Sequence, residues 1–141
     1  MLQIFFLRNM KSILKRKNIS QTPFRKSVLE IISYSSSAVS ISDIENRLGE
    51  YNRVTLYRTI KTFLETGIIH SISIAGEDLR YAMCEDTCQP DNHIHNHLHL
   101  QCTQCNSVYC VDLPADSFIN KSNHLIDSFE VHAKGVCEDC Q

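Results

Sequence analysis

Apolar residues recur at helical spacing through the first half of the chain and at strand spacing through the second. After Thr22-Pro23, a capping residue followed by one suited to the first helical position, Val28, Leu29, Ile31 and Ile32 form a stripe that predicts a helix to about Tyr34. The run Ser35-Ser36-Ser37 ends it. Ser40 or Ser42 caps a short helix that turns Ile44 and Leu48 inward before Gly49. Asn52 caps the clearest helix of all, in which Leu56, Ile60, Phe63 and Leu64 make the buried stripe and Gly67 the stop. A short basic helix is also predicted over 10–18. The period then changes: Ile68 to Ile74 alternates like a strand, Ala75-Gly76-Glu77-Asp78 reads as a turn, and Leu79 to Cys84 returns as its hairpin partner. Helices followed by such a hairpin predict a winged helix-turn-helix. A polar link, 85–92, leads to a strand beginning at His93. Beyond it the pattern predicts strands at 107–111 and 128–133 and a helix over 116–125. The expected fold class is α+β: a winged-helix unit over 1–84, a hinge over 85–92, and a small α/β unit over 93–141.

Charge sharpens this division. Through Arg80 there are 12 Lys+Arg against 7 Asp+Glu, and beyond it 2 against 9. A basic first part fits a polyanion, and an acidic second part fits cation binding or a solvated surface. The helix after Asn52 carries Arg53, Thr55, Tyr57, Arg58 and Lys61 on its polar face, with no acidic residue before Glu65. That face suits a DNA major groove, with Tyr57 and Arg58 the first candidates for base and backbone contacts. Lys15, Arg16 and Arg25 are candidates for phosphates; an ordinary solvated face is the plainer reading of the same charges. No apolar run approaches the roughly 18 residues of a membrane span, and residues 1–7 lack the basic start of a signal peptide. Residues 1–9 read as a flexible arm, or as lying upstream of a start at Met10.

The candidate chemistry is metal binding. Of seven cysteines, four form Cys102-x-x-Cys105 and Cys137-x-x-Cys140, with 31 residues between the pairs. Two such knuckles predict a closed four-thiolate structural zinc site in a reducing compartment, hence the cytoplasm. A strand through His93, His95, His97 and His99 places four imidazoles on one face and Ile94, Leu98 and Leu100 on the other. His97 and His99, nearest the knuckle, can share an ion. His70 and Cys84, at opposite ends of the predicted hairpin, can complete its ligand set, with Cys88 or Cys110 as substitutes for Cys84. Such a site would tie the wing to the second unit. An HxH pair also occurs in zinc hydrolases, but these need a nearby carboxylate base, and no Asp or Glu lies between His93 and Tyr109. A metal buffer without DNA function is a third possibility.

Several segments together resemble the ferric uptake regulator superfamily over about residues 11–141. They are Thr22-Pro23-x-Arg25, Val54-Thr55-Leu56-Tyr57-Arg58 with Leu64-x-x-Gly67-Ile68-Ile69, Arg80-Tyr81, His97-x-His99-Leu100-x-Cys102-x-x-Cys105 and Gly135-x-Cys137-x-x-Cys140. The resemblance implies a homodimeric repressor that binds an operator in double-stranded DNA, with structural zinc on the four cysteines and a regulatory metal at the hinge. Iron and peroxide sensors of this superfamily take a histidine where this chain has Ala38, and carboxylates where it has Ala82 and Cys110. The zinc uptake regulators look closer. Their ligand positions correspond to His70, Cys84, His97 and His99, although the first is usually a carboxylate. The superfamily's further metal site would draw on Asn96 and Leu98, and Leu98 cannot coordinate. The expected function is therefore zinc-responsive transcriptional regulation, with iron or peroxide sensing as the alternative.

Overall fold

A computed structural model describes residues 10, 12–84, 97–112, 123–125 and 130–141. A helical segment over 12–16 ends where Asn18 takes a positive φ of 60° and the Ile19 N–H reaches back to the Leu14 carbonyl at 2.9 Å. Asparagine tolerates this left-handed conformation better than most residues. Helix α1, Pro23–Tyr34, starts at Thr22, whose hydroxyl accepts the Arg25 N–H, and it buries Val28, Leu29 and Ile32. Strand β1, Val39–Ser40, is too short to give a period in the sequence. Ser40 also opens α2, Ile41–Arg47, through a reciprocal capping box. Its Oγ accepts the Asp43 N–H at 3.1 Å, and an Asp43 oxygen accepts the Ser40 N–H at 2.8 Å.

Helix α3, Arg53–Glu65, is capped by Asn52 Oδ1 on the Thr55 N–H at 3.0 Å. Leu56, Ile60 and Phe63 bury its inner face. Gly67, at φ 68°, then reverses the chain, and the Ile68 N–H closes on the Phe63 carbonyl at 2.9 Å. The hairpin follows as β2, Ile69–Ile72, and β3, Arg80–Met83, with β1 on the far edge of β3. Every pairing in this sheet is antiparallel. Met10, Leu14, Val28, Leu29, Ile44, Leu56, Phe63 and Ile69 share one core with Tyr81, so the helices and the wing sheet fold as a unit.

A second sheet, ordered β5-β4-β6, is built from β4, His97–Cys102, β5, Val108–Asp112, and β6, Val131–Gly135. Strand β5 runs antiparallel and β6 parallel to β4. The parallel register places Gly135 beside Cys102, which carries β6 further toward the final knuckle than the sequence pattern predicts. The expected helix over 116–125 lies outside the described residues except for 123–125, which are exposed and not helical. The expected strand segments at 93–96 and 128–129 also lie outside them.

The two sheets touch. Ala38, Ile72 and Val108 form a small buried cluster, and the Ala38 N–H donates to the Val108 carbonyl at 2.8 Å. Glu77, in the wing turn, accepts from Gln101 Nε2 at 2.8 Å and pairs with Arg80 at 3.3 Å. Hydrogen bonding at Asn106, then the Arg80 and Gln101 contacts, hold its carboxyl below the usual glutamate range.

The capping box generates a stability prediction. The Ser40 backbone N–H holds the Asp43 carboxyl below its ordinary value, so its contribution is present above the unfolded-state value and is lost as pH falls through the lower folded value. Asp43→Ala is expected to cost about 1 kcal/mol at neutral pH, the usual size for a lost cap. Urea denaturation should show that deficit shrinking as the pH drops below about 4.

Candidate metal centres and nucleic-acid interface

Strand β4 ends in Cys102, and the turn that follows supplies Cys105. Asn106, at φ 62°, sends the chain into β5. Cys137 precedes the 3-10 turn Glu138–Cys140 and Cys140 ends it, with the Cys140 N–H bonded to the Cys137 carbonyl at 3.0 Å. The four sulfurs lie within 4.8 Å of one another. Cys105 and Cys137 sulfurs are 3.7 Å apart, close to the edge of about 3.8 Å expected when a tetrahedral ion binds sulfur at about 2.3 Å. Backbone N–H groups, from Cys105 and Cys137 foremost, draw the Cys102 thiol down to about 6. Gln104 and Cys137 N–H groups each approach its sulfur at 3.4 Å. Cys140 is pushed the other way, up to about 12, by its Cys137 and Cys105 neighbours. Four thiolates this close repel one another, and a divalent cation is what would let all four ionise together.

The second cluster joins the two sheets. His70 comes from β2, His97 and His99 from β4, and Cys110 from β5, where it is the cross-strand partner of His99. One donor atom from each lies within 4.8 Å of the others. The three imidazoles are 7%, 6% and 5% exposed. His97 and His99 approach Nε2 to Nε2 at 3.2 Å, near the tetrahedral nitrogen–nitrogen edge of about 3.3 Å for a zinc-sized ion. The ring centroids of His70 lie 5.2 Å from His97 and 5.6 Å from His99.

Burial, with the neighbouring His97, pulls His99 down to about 4. Its ring is thus neutral at physiological pH, the form that ligates metal. Desolvation, then Asp112, pushes the Cys110 thiol up to about 11. Among the described residues, His99 Nδ1 is buried without a hydrogen-bond partner. Such a cluster of lone pairs fits a cation.

Of the residues expected to share an ion, His70, His97 and His99 lie together in this cluster. Cys84 does touch His70, with Sγ 3.7 Å from Nδ1. Cys110 lies 3.6 Å from the opposite nitrogen, Nε2, and it is Cys110 that completes the group of four. The sequence signal for Cys110 was its place in the hairpin after the knuckle, opposite His99, but the pairing register was needed to see it. Cys88, His93 and His95 lie outside the described residues. His124 is exposed. His132 packs its ring 5.3 Å from His99 and holds Glu130 at 3.2 Å.

In the first unit, Arg53, Thr55, Tyr57, Arg58 and Lys61 are all exposed on α3. With Val54, 58% exposed, Arg53, Tyr57, Arg58 and Lys61 line a shallow groove. The Arg53 guanidinium lies 5.8 Å from the Tyr57 ring centre and 3.7 Å from Glu45, while Lys61 pairs with Glu65. Val54, which sequence reasoning passed over as a site residue, adds an apolar contact point to this face. Lys15 and Arg16 are exposed, and Arg25 is half-buried with its guanidinium bonded to Ser20. Among the described residues no helix is long and apolar enough to cross a membrane.

Donors that couple a winged helix to a second sheet suit a transcriptional regulator whose hold on DNA depends on metal. The sequence profile of the ferric uptake regulator family matches residues 16–132, and the chain belongs to that family. It is accordingly a metal-responsive, DNA-binding regulator, homodimeric like its family, and not an enzyme. A peroxide-responsive repressor, PerR, of Staphylococcus aureus (strain Mu50) is 24% identical over 137 residues, covering 91% of this chain and 86% of that protein. The fold is shared with a zinc uptake regulator complexed with zinc and DNA, at a TM-score of 0.67 and 21% identity, covering 99% of this chain and 95% of the other. It is also shared with the ferric uptake regulator of Vibrio cholerae, at a TM-score of 0.66 and 20% identity, covering 89% and 98%.

The four-cysteine centre carries its own prediction. Cys137→Ser should lower the metal content of the purified protein by one equivalent, measured by elemental analysis. It should also expose the end of β6 to hydrogen exchange, because Cys137 anchors the segment that follows that strand.

Proposed function

We propose that the protein is a zinc-responsive repressor of the cytoplasm, with zinc held permanently by Cys102, Cys105, Cys137 and Cys140 and exchangeably at the histidine cluster. The observation that carries this reading is the donor set between β2 and β4. It consists of three buried imidazoles and neighbouring thiols, with no carboxylate in the group among the described residues. Nitrogen and sulfur donors at tetrahedral spacing suit zinc, whereas manganese prefers oxygen-rich octahedral sites. The sequence reading gives the ligands as His70, Cys84, His97 and His99.

The proposed division is a winged-helix unit over 1–84, a hinge over 85–92 and a dimerisation unit over 93–141. Zinc, when bound, supplies a crosslink between histidines of the wing and of the second sheet. His70 reports on the wing, and through α3 and Gly67 on the position of the DNA-binding face. His97 and His99 are fixed in a three-stranded sheet that the cysteine centre anchors. A ligand set shared by both units favours one arrangement of the dimer's two recognition helices, about 34 Å or a multiple apart along DNA. Lys15, Arg16 and Arg25 contact phosphates, Tyr57 and Arg58 reach bases and backbone, and Arg53, Thr55 and Lys61 assist.

A second reading is supported by the sequence relatives named as peroxide-responsive repressors. Metal competition separates the two. With the cysteine centre filled, added zinc is expected to promote operator binding at lower concentration than ferrous iron, followed by fluorescence anisotropy of labelled DNA. A response to iron alone would reject zinc as the sensed metal.

The cationic face makes a further prediction. Arg58→Ala should weaken DNA binding and, if its contact is to phosphate, reduce the slope of log affinity against log salt by about 1. Loss of affinity with an unchanged slope would instead assign Arg58 to a base.

A further inference from the structure

We infer that Cys110, on β5, is the thiolate ligand of the histidine centre, and that Cys84 is a positioning residue for His70. This inference rests on the histidine cluster being a metal site, but not on which metal the protein senses.

An imidazole gives one nitrogen to a given ion, and its two nitrogens point to opposite sides of the ring. His70 has a sulfur on each side. Cys84 stands 3.7 Å from Nδ1 and Cys110 stands 3.6 Å from Nε2. Distance alone does not choose between them. The choice is made by where the other ligands are. The donors of His97 and His99 group with those of His70 and Cys110, all within 4.8 Å, and Cys84 is outside that group. The 3.6 Å from Cys110 Sγ to His70 Nε2 is close to the sulfur–nitrogen edge of about 3.5 Å for a tetrahedral site with bonds of about 2.3 and 2.0 Å.

Strand geometry supplies the reason. Cys110 pairs with His99 across β4 and β5, so the two side chains leave the sheet on one face. Cys84 follows the end of β3, tied to the residue just before β2 by its N–H on the Ile68 carbonyl at 2.9 Å. That anchor keeps it on the wing beside His70. With Nε2 directed at the centre, Nδ1 carries the ring proton, and the Cys84 sulfur is the acceptor that holds this tautomer and ring orientation.

Cobalt titration tests the assignment. Protein with its four-cysteine site filled with zinc is titrated with cobalt(II), reading the near-ultraviolet thiolate-to-cobalt band, the visible ligand-field bands and the stoichiometry. The parent should take up one cobalt with the band intensity of one thiolate. Cys110→Ser should lose that band while keeping its structural zinc equivalent and parent circular dichroism. Cys84→Ser should keep the band and bind cobalt about 10–100-fold more weakly, the usual size for a lost ligand-orienting partner. A band lost in Cys84→Ser but kept in Cys110→Ser, or a two-thiolate band in the parent, would overturn the inference. A parent that shows the cobalt pattern but whose operator binding ignores zinc would leave the ligand assignment standing and remove the zinc-sensing reading.

Discussion

Three buried imidazoles, with no carboxylate among their close donors in the described residues, are the constraint on which this molecule turns. His70 belongs to the wing and His97 and His99 to the second sheet, so their proximity exists only while the two sheets meet. Burial denies the His99 ring water and discourages its protonation. What remains is a set of lone pairs in a confined space, a costly arrangement unless something positively charged shares it. The apolar contact of Ala38, Ile72 and Val108 and the Glu77–Gln101 hydrogen bond hold the sheets together beside the cluster.

Strand β4 links the two donor clusters. It presents His97 and His99 inward and ends in Cys102, so a single short strand spans both ligand sets. The cysteine centre fixes the far end of that strand together with β6 and the last residues of the chain, through the Thr103 N–H on Gly135 and the Cys137 N–H on the Cys102 sulfur. A strand with one end anchored is a sound base for donor side chains that must stay correctly spaced opposite a partner on a different unit.

Much of the first unit was legible along the chain because its signals are local. Thr22-Pro23, Ser40 and Asn52 cap helices where capping chemistry places them, and Gly67 stops α3. The two-residue β1 was not legible, since two residues carry no period and its pairing with β3 is a long-range contact. The Cys102, Cys105, Cys137 and Cys140 set was also readable, because CxxC spacing alone brings each pair of thiols together. The histidine centre was readable only in part. His97 and His99 share a face by strand period, and His70 was reached through the hairpin. The choice between Cys84 and Cys110 depends on which side of the His70 ring each sulfur occupies, and no spacing rule contains that.

By itself, then, the sequence determined the helices of the first unit, the wing, the cationic face of α3 and the pair of CxxC knuckles, all of which follow from contacts between residues near in the chain or from spacing. Only the tertiary structure decided the order β5-β4-β6, the register that sets Cys110 opposite His99, and the meeting of β2 with β4. The physical reason is common to all three: each joins segments far apart in the chain, placed by cross-strand hydrogen bonding within a sheet or by packing between sheets. A linear pattern can state which face of a strand is chemically active, but which other strand faces it is settled by packing.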